Sequence, residues 1–348
     1  MNKEQLPNVS IVVIGHNEAP HLEKCFSAIN NMEYPRNKLE LIFIDSNSTD
    51  NSIDIAKRYA DKCLSVKSKW PTAGEAFNMG INISSNNYIH ITSGDIQLNE
   101  KYLIEAIASL EKRDDIIAVT GYFEELNNTG WNKLIGFRRL EEPLLKDHYT
   151  NTPNGGTFKK FVFYEIGGYD ERIKKGQETE LGIRLKAKNY KILYRHIPQG
   201  IHNFDLNNIF DLLSRFVKDG QSLAHLMLLY SIEKNNPYFK TAFNTGRKRF
   251  VNFTLMYFLA GYFLCQSKFM LSVSVVIIYL FYGIFSTLLK KNHHSYKYKL
   301  YKLTMFGGSY FTYFGMLILF VKYLILRLKG VNIITRKKGL SLVESENE

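Results

Sequence analysis

Cysteine is scarce in this sequence: 348 residues carry three, Cys25, Cys63 and Cys265. None stands at ligand spacing from another, which argues against a disulfide framework or a zinc site and fits a reducing compartment. Glycine is missing where a dinucleotide fold needs it. Gly15 stands alone after the first strand-like run, without the G-x-G-x-x-G of dehydrogenases and methyltransferases. The opening Met-Asn-Lys-Glu-Gln-Leu-Pro has no apolar core, so no secretory signal is expected and the soluble part is expected in the cytosol. There is no zinc finger, RRM aromatic pair or basic heptad, so the net charge of +12 does not point to nucleic acid.

Aromatic residues, by contrast, are plentiful, with 24 Phe and 22 Tyr, and the apolar residues are unevenly spread. Residues 1–245 read as a soluble α/β protein, whereas residues 250–328 hold long apolar runs. The stretch 269–289 has no charge and as a helix reaches about 32 Å, enough to cross a bilayer. Residues 303–326, broken by Lys322, are a second candidate, and 250–265 is a shorter third, either a pass or an interfacial helix. Much of the positive charge flanks these runs, as at Arg247, Lys248, Arg249, Lys290 and Lys291, which favours a membrane surface. The 290–302 loop and the 327–338 tail are both basic, so charge counting leaves the number of passes and the side of the C-terminus open.

In the soluble part, 9–14, 41–44 and 88–92 are continuous apolar runs of the kind buried on both faces of a parallel sheet. Helical patterns lie between and after them, at 20–31, 52–60, 72–84 and 101–111. The alternation predicts a doubly wound α/β layer. Residues 122–153 read as irregular, Asn154-Gly155-Gly156-Thr157 as a turn, and 178–188 and 207–230 as further helices, the last with an amphipathic face suited to lipid or to domain packing.

Polar residues gather at the ends of these elements. The first run closes on Gly15-His16-Asn17-Glu18, where open α/β sheets bind ligands, although Asn and Glu also suit a helix cap there. The second closes on Asp45-Ser-Asn-Ser-Thr-Asp50: Asp45 can accept hydrogen bonds from a ribose or base, and Asp50 suits the cap of the next helix. The third closes on Ser93-Gly94-Asp95. Further pieces are Ala76-Phe77-Asn78-Met79-Gly80, Gly168-Tyr169-Asp170-Glu171 followed by Gly176-Gln177-Glu178-Thr179-Glu180-Leu181, and His202 followed by Arg215 and Lys218.

Over roughly residues 8–230 these pieces resemble glycosyltransferase family 2, the inverting GT-A enzymes. The resemblance implies a GT-A fold, a Rossmann-like, mostly parallel sheet, here followed by transmembrane or interfacial helices. It implies donor contacts at Asn17, Glu18, Asp45, Asn78, Ser93 and Asp95, and a general base at Glu178, with Glu180 facing elsewhere. Ser93 and Asp95 fall where the family usually carries Asp-x-Asp, the motif that holds a divalent ion against the donor diphosphate. One carboxylate still suits Mg²⁺, Mn²⁺ is an alternative, and metal independence stays open. His202 matches a family position that ligates the metal or contacts the diphosphate, although a lone histidine is more often structural. Arg215 and Lys218 are candidates for the diphosphate, a lipid phosphate or the headgroup surface, or form a solvated basic face. Phe77 and Gln177 depart from the family's Arg and acid.

The implied protein transfers one sugar from a nucleotide-diphosphate sugar to a glycan acceptor that the apolar C-terminal segments suggest is lipid-linked. The Gln-x-x-Arg-Trp of processive polymerases is absent, and Trp70 and Trp131 lie in no such motif. The expected organisation is a catalytic domain over 1–230, with donor half 1–121, acceptor half 122–205 and interfacial helix 206–230. A linker (231–249), membrane segments (250–328) and a tail (329–348) follow, in a multi-pass protein with its catalytic domain on the cytoplasmic side of the cell membrane. A non-catalytic membrane interaction protein on a degenerate transferase domain is the competing reading, fed by Ser93, Phe77 and Gln177.

Overall fold

The computed structural model describes residues 3–69, 71–125, 146–202 and 208–232, with isolated positions Tyr262, Met270, Ser274 and Ile318. The expected linker, membrane segments and tail lie outside this set apart from those positions and the last turn of a helix. Among the described residues no helix is long and apolar enough to cross a membrane. The chain divides into two compact units: Met1–Asn127 with Glu142–Phe204 and Ile334–Glu348, and Asn128–Glu141 with Asp205–Ile333.

The first unit is built on one sheet. The apolar runs become strands β1 (Val9–Gly15), β2 (Leu39–Asp45) and β4 (Tyr88–Ser93), joined by β3 (Lys62–Ser65), and all four pair in parallel in the order β3-β2-β1-β4. Beyond β4 the sheet is mixed, and it stays mostly parallel as the resemblance implies. Strand β8 (Gly156–Lys159) runs antiparallel between β4 and β6 (Ile116–Glu125), and β6 then pairs in parallel with the long β9 (Lys191–His202). The far edge of β9 is covered by β7 (His148–Thr150) near its start and by β5 (Ile96–Leu98) at its end, both antiparallel. Six strands thus share one direction, and β5, β7 and β8 oppose it.

Alternation along the central strands explains why both faces are covered. On one face Ile11, Val13, Leu41 and Phe43 meet α1 (Ala19–Asn30) and α4 (Tyr102–Lys112), through Leu22, Phe26, Leu103 and Ile107. On the other, Val12, Ile14, Ile42 and Ile44 meet α3 (Ala73–Ile83), α5 (Phe161–Ile166) and α6 (Gln177–Ala187), through Ile81, Phe163, Leu181 and Leu185. Helix α3 lies close to the sheet because Gly80 has no side chain: a Cβ there would stand 2.3 Å from Val12 Cγ1. The short helix α2 (Ser52–Ala56) ends sooner than the 52–60 pattern suggests.

In the second unit the 207–230 pattern forms α7 (Ile209–Ile232). Asn208 and Asp211 cap it reciprocally: the Asp211 N–H donates to Asn208 Oδ1 at 3.0 Å and the Asn208 N–H to Asp211 Oδ2 at 3.1 Å. Arg215 and Lys218 lie on this helix.

Candidate active site

Register sets the site. Gly15 stands opposite Asp45 on one side of β1 and Ile14 opposite Ser93 on the other, so β2, β1 and β4 finish at one level. The loops beyond β1 and β2 are laced together. Asn17 takes a left-handed conformation, φ 57°, and its N–H donates to Ser48 Oγ at 2.9 Å while its Oδ1 accepts from the Thr49 N–H at 2.8 Å. The Glu18 N–H donates to Ser52 Oγ at 2.9 Å. Asp50 bridges the same loops, accepting from the Ala19 and Ser52 N–H groups at 3.1 and 3.0 Å. Burial works against the Asp50 charge, but the hydrogen bonds from Ser52 and Ala19 outweigh it and hold the carboxyl below its usual range. Asn17 is thus committed through its side chain to the loop.

Asp45 is 1% exposed. Its Oδ2 accepts from the Ser48 N–H at 3.1 Å, while its Oδ1 is buried with no hydrogen-bond partner. A desolvated carboxylate oxygen without a donor is costly, and a ligand donor at the strand tips relieves it.

Past β4, the Gly94 N–H donates to Ile14 O at 2.9 Å. A Cβ on Gly94 would stand 3.2 Å from Glu18 Cβ, so the turn bearing Asp95 lies directly against the loop bearing Glu18. Asp95 is gripped from two sides. Its Oδ1 accepts from the Ser93 hydroxyl, and its Oδ2 lies 3.0 Å from His202 Nε2. The antiparallel pairing of Ile96 with His202 brings the ends of β5 and β9 together. Burial alone would raise the Asp95 carboxyl; the His202 hydrogen bond and charge and the Ser93 hydroxyl hold it below the usual carboxylate range.

Glu178 sits in the first turn of α6, where the helix dipole favours a carboxylate. Its Oε1 accepts from the Gly155 N–H at 2.5 Å. Gly155 and Gly156 have φ of +70° and +106°, and Gly156 pairs with Ile91 of β4. Because β8 runs backwards, its beginning meets the end of β4, and Glu178 is pinned at the same edge as Asp45 and Asp95. Glu180 faces elsewhere: it is 1% exposed and binds Arg184 through two contacts of 2.6 Å.

Two motif residues have structural work. Asn78 spends its amide on the Gly168–Glu171 loop, donating to Tyr169 O at 2.9 Å and Glu171 Oε1 at 3.0 Å and accepting from the Tyr169 N–H at 2.8 Å. Phe77 stacks on Tyr169 with ring centroids 5.2 Å apart, inside the core, where a phosphate-binding arginine does not fit. Sequence reasoning passed over Gln199. This buried side chain accepts through Oε1 from Thr120 Oγ1 and the Gly121 N–H, leaving a buried Nε2 without a partner near Gly155. A lone glutamine in a strand gives no pattern to find it by. A separate hollow of about 560 Å³, lined by Ser109, Arg113, Tyr149 and Arg195 among others, contains none of these residues.

Residues 10–167 match the family model described as glycosyl transferase family 2. The chain carries a family 2 glycosyltransferase domain of GT-A type. The transferase is 25% identical over 309 residues to "Probable glycosyltransferase YdaM" of Bacillus subtilis (strain 168), covering 81% of this chain and 69% of that one. It is 23% identical to a Methanococcus voltae dolichyl N-acetyl-alpha-D-glucosaminyl phosphate 3-beta-D-2,3-diacetamido-2,3-dideoxy-beta-D-glucuronosyltransferase, over 53% of this chain and 63% of that one. Its fold is similar to the mannosyltransferase PcManGT of Pyrobaculum calidifontis in complex with GDP-Man and Mn²⁺, with a TM-score of 0.58 at 14% identity, over 90% of this chain and 88% of that one.

Proposed function

We propose that the transferase moves a single sugar, with inversion, from its nucleotide-diphosphate donor to a lipid-linked glycan acceptor at the cytoplasmic face of the cell membrane, in cell-surface polysaccharide or glycolipid synthesis. One observation supports this reading: strand register brings Asp45 and the turn bearing Asp95 to one end of the sheet, where β8 begins and the Gly155 N–H holds Glu178. The orphaned Oδ1 of Asp45 accepts from the ribose or base. Asp95 and His202 offer one carboxylate and one imidazole. Among the described residues no group of three His, Cys, Asp or Glu converges, so a Mg²⁺ or Mn²⁺ ion would draw its other ligands from the donor diphosphate and water. Such an ion, when bound, neutralises the departing diphosphate.

Glu178 accepts the proton of the acceptor hydroxyl as its oxygen attacks the anomeric carbon. The Gly155 N–H and the start of α6 both favour the charged carboxylate that this step needs. Displacement from the face opposite the diphosphate inverts the centre. The lipid acceptor is supported by the apolar runs and basic flanks of 250–328 and by the dolichyl-linked acceptor in the name of the Methanococcus relative. The test uses membranes containing the full chain, a panel of GDP- and UDP-sugars with Mn²⁺, Mg²⁺ or EDTA, and lipid extract from cells lacking the gene. Transfer from one nucleotide class to an extractable lipid, abolished by EDTA, is expected. Transfer to a water-soluble glycan alone would discard the lipid acceptor, and full activity in EDTA would discard the metal.

A further inference from the structure

Gln199 has no part in the chemistry proposed above, yet a chain of short contacts leads from it to Glu178. It lies in the second half of β9 and is 0% exposed. In the sheet order β6 stands between β9 and β8. The Gln199 side chain crosses β6 at Gly121, where the missing side chain leaves space: a Cβ on Gly121 would stand 3.3 Å from Gln199 Cβ. Here the pairing of β6 with β9 shifts register, between Thr120 and Tyr122. The Gly121 N–H turns to the side chain instead, donating to Gln199 Oε1 at 2.9 Å, and the Thr120 hydroxyl donates to the same oxygen at 3.1 Å.

The first of these bonds settles which way the amide faces. A backbone N–H needs an oxygen, so Oε1 is tied to β6 and Nε2 points away from it. Nε2 comes to rest against Gly155. A Cβ on Gly155 would stand 3.2 Å from Gln199 Nε2 and 3.1 Å from Ile91 O. The amide thus takes up space beside the Gly155 Cα that another residue's side chain would need. Nε2 is buried there without a hydrogen-bond partner, a cost that an apolar side chain of the same size avoids. Gly155 is also the residue whose N–H meets Glu178 Oε1, and it does so from a left-handed conformation, φ +70°. Its peptide is confined between the β4 backbone and an amide tethered to β6.

We propose that Gln199 is a positioning residue for Glu178, its tethered amide bracing the Gly155 peptide so that the N–H stays on the Glu178 carboxylate. The inference rests on the reading of Glu178 as the base. The Gly155 N–H favours the ionised carboxylate and fixes one of its oxygens, so slack at Gly155 loses both charge and aim. Gln199, fully buried, acts through Gly155 alone.

Gln199→Ala in the full chain removes the brace. Its Tm falls, because the Gly121 N–H is left unpaired in the interior. Per folded molecule, kcat falls about tenfold with the donor KM unchanged. The acidic limb of the kcat profile moves up by about one pH unit, because a carboxylate that loses a donor is harder to ionise. In a Glu178→Gln background the same substitution has no further effect on kcat. A lower Tm with the parent's kcat and profile overturns the proposal while leaving Glu178 as base. If Gln199→Ala does not fold, Thr120→Val decides, since it keeps the shape of Thr120 and cuts one of the two tethers. There kcat is expected about threefold lower with the limb shifted the same way, and the parent's kcat and profile overturn the proposal. Parent-rate turnover by Glu178→Gln alone overturns the base and this proposal together.

Discussion

Individual side chains divide into those proposed to meet substrate and those holding the frame, and substitution separates the two. Glu178→Gln keeps the size of the side chain and its contact with Gly155 while removing its basicity. Its kcat is expected to fall by at least about 100-fold, with donor affinity retained, in paired turnover and donor-binding assays. Asn78→Ala has the opposite signature. It strips three hydrogen bonds from the Tyr169–Glu171 segment and leaves the buried Tyr169 amide unpaired. A loss of about 3 kcal/mol in denaturant unfolding is expected, with donor affinity per folded molecule little changed. An Asn78→Ala enzyme of normal stability that fails to bind donor would reverse this assignment. The place of Asp45 at a strand tip was readable because it ends an apolar run; its unpaired Oδ1 was not, since pairing depends on loop geometry.

At the scale of elements, the N-terminal half of the sheet was plain in the sequence. Strands β1, β2 and β4 are buried on both faces, so each reads as an unbroken apolar run. Strands β6 to β9 were not legible. β9 alternates buried and exposed stretches irregularly because its partners change along its length, and β5 and β7 are three residues each. The closeness of His202 to Asp95 depends on that β5–β9 pairing, so only the family resemblance could suggest it. Helix α6 illustrates a second kind of hidden constraint. A Cβ on Gly182 would lie 1.9 Å from Asn151 O, so the helix bearing Glu178 rests on the backbone before β8. Gly182→Ala is expected to destabilise by about 2 kcal/mol, read as a lower Tm, and to reduce kcat more than donor affinity because the backbone must shift under Glu178.

For the whole folded unit, buried ionisable groups set the response to acid. His90 lies inside β4 with Nδ1 3.0 Å from Thr157 Oγ1, and burial lowers it from the ordinary 6.5 to about 3. The unfolded chain takes up that proton as pH drops below 6.5, while the folded chain does so only near 3, so stability is full above 6.5 and declines between these values. Glu40 is held at about 2: burial opposes its charge, but hydrogen bonds from Lys62, Ser10 and Ser85 prevail. Its contribution is present above the ordinary 4.5 and is lost as pH falls toward 2, in the same direction. Denaturant midpoints measured from about pH 7 to pH 4 should fall, and His90→Gln should flatten that slope; an equal slope in the variant would clear His90 of the effect. The reversed direction of β8 carries a consequence for how such enzymes diversify. A strand that enters at the cleft lets the chain ahead of it lengthen or change composition without shifting the tips of β1, β2 and β4. On the proposed assignment, exchanging the chain between β6 and β8 among relatives is expected to change acceptor choice and leave donor choice unchanged in transfer assays of the chimeras.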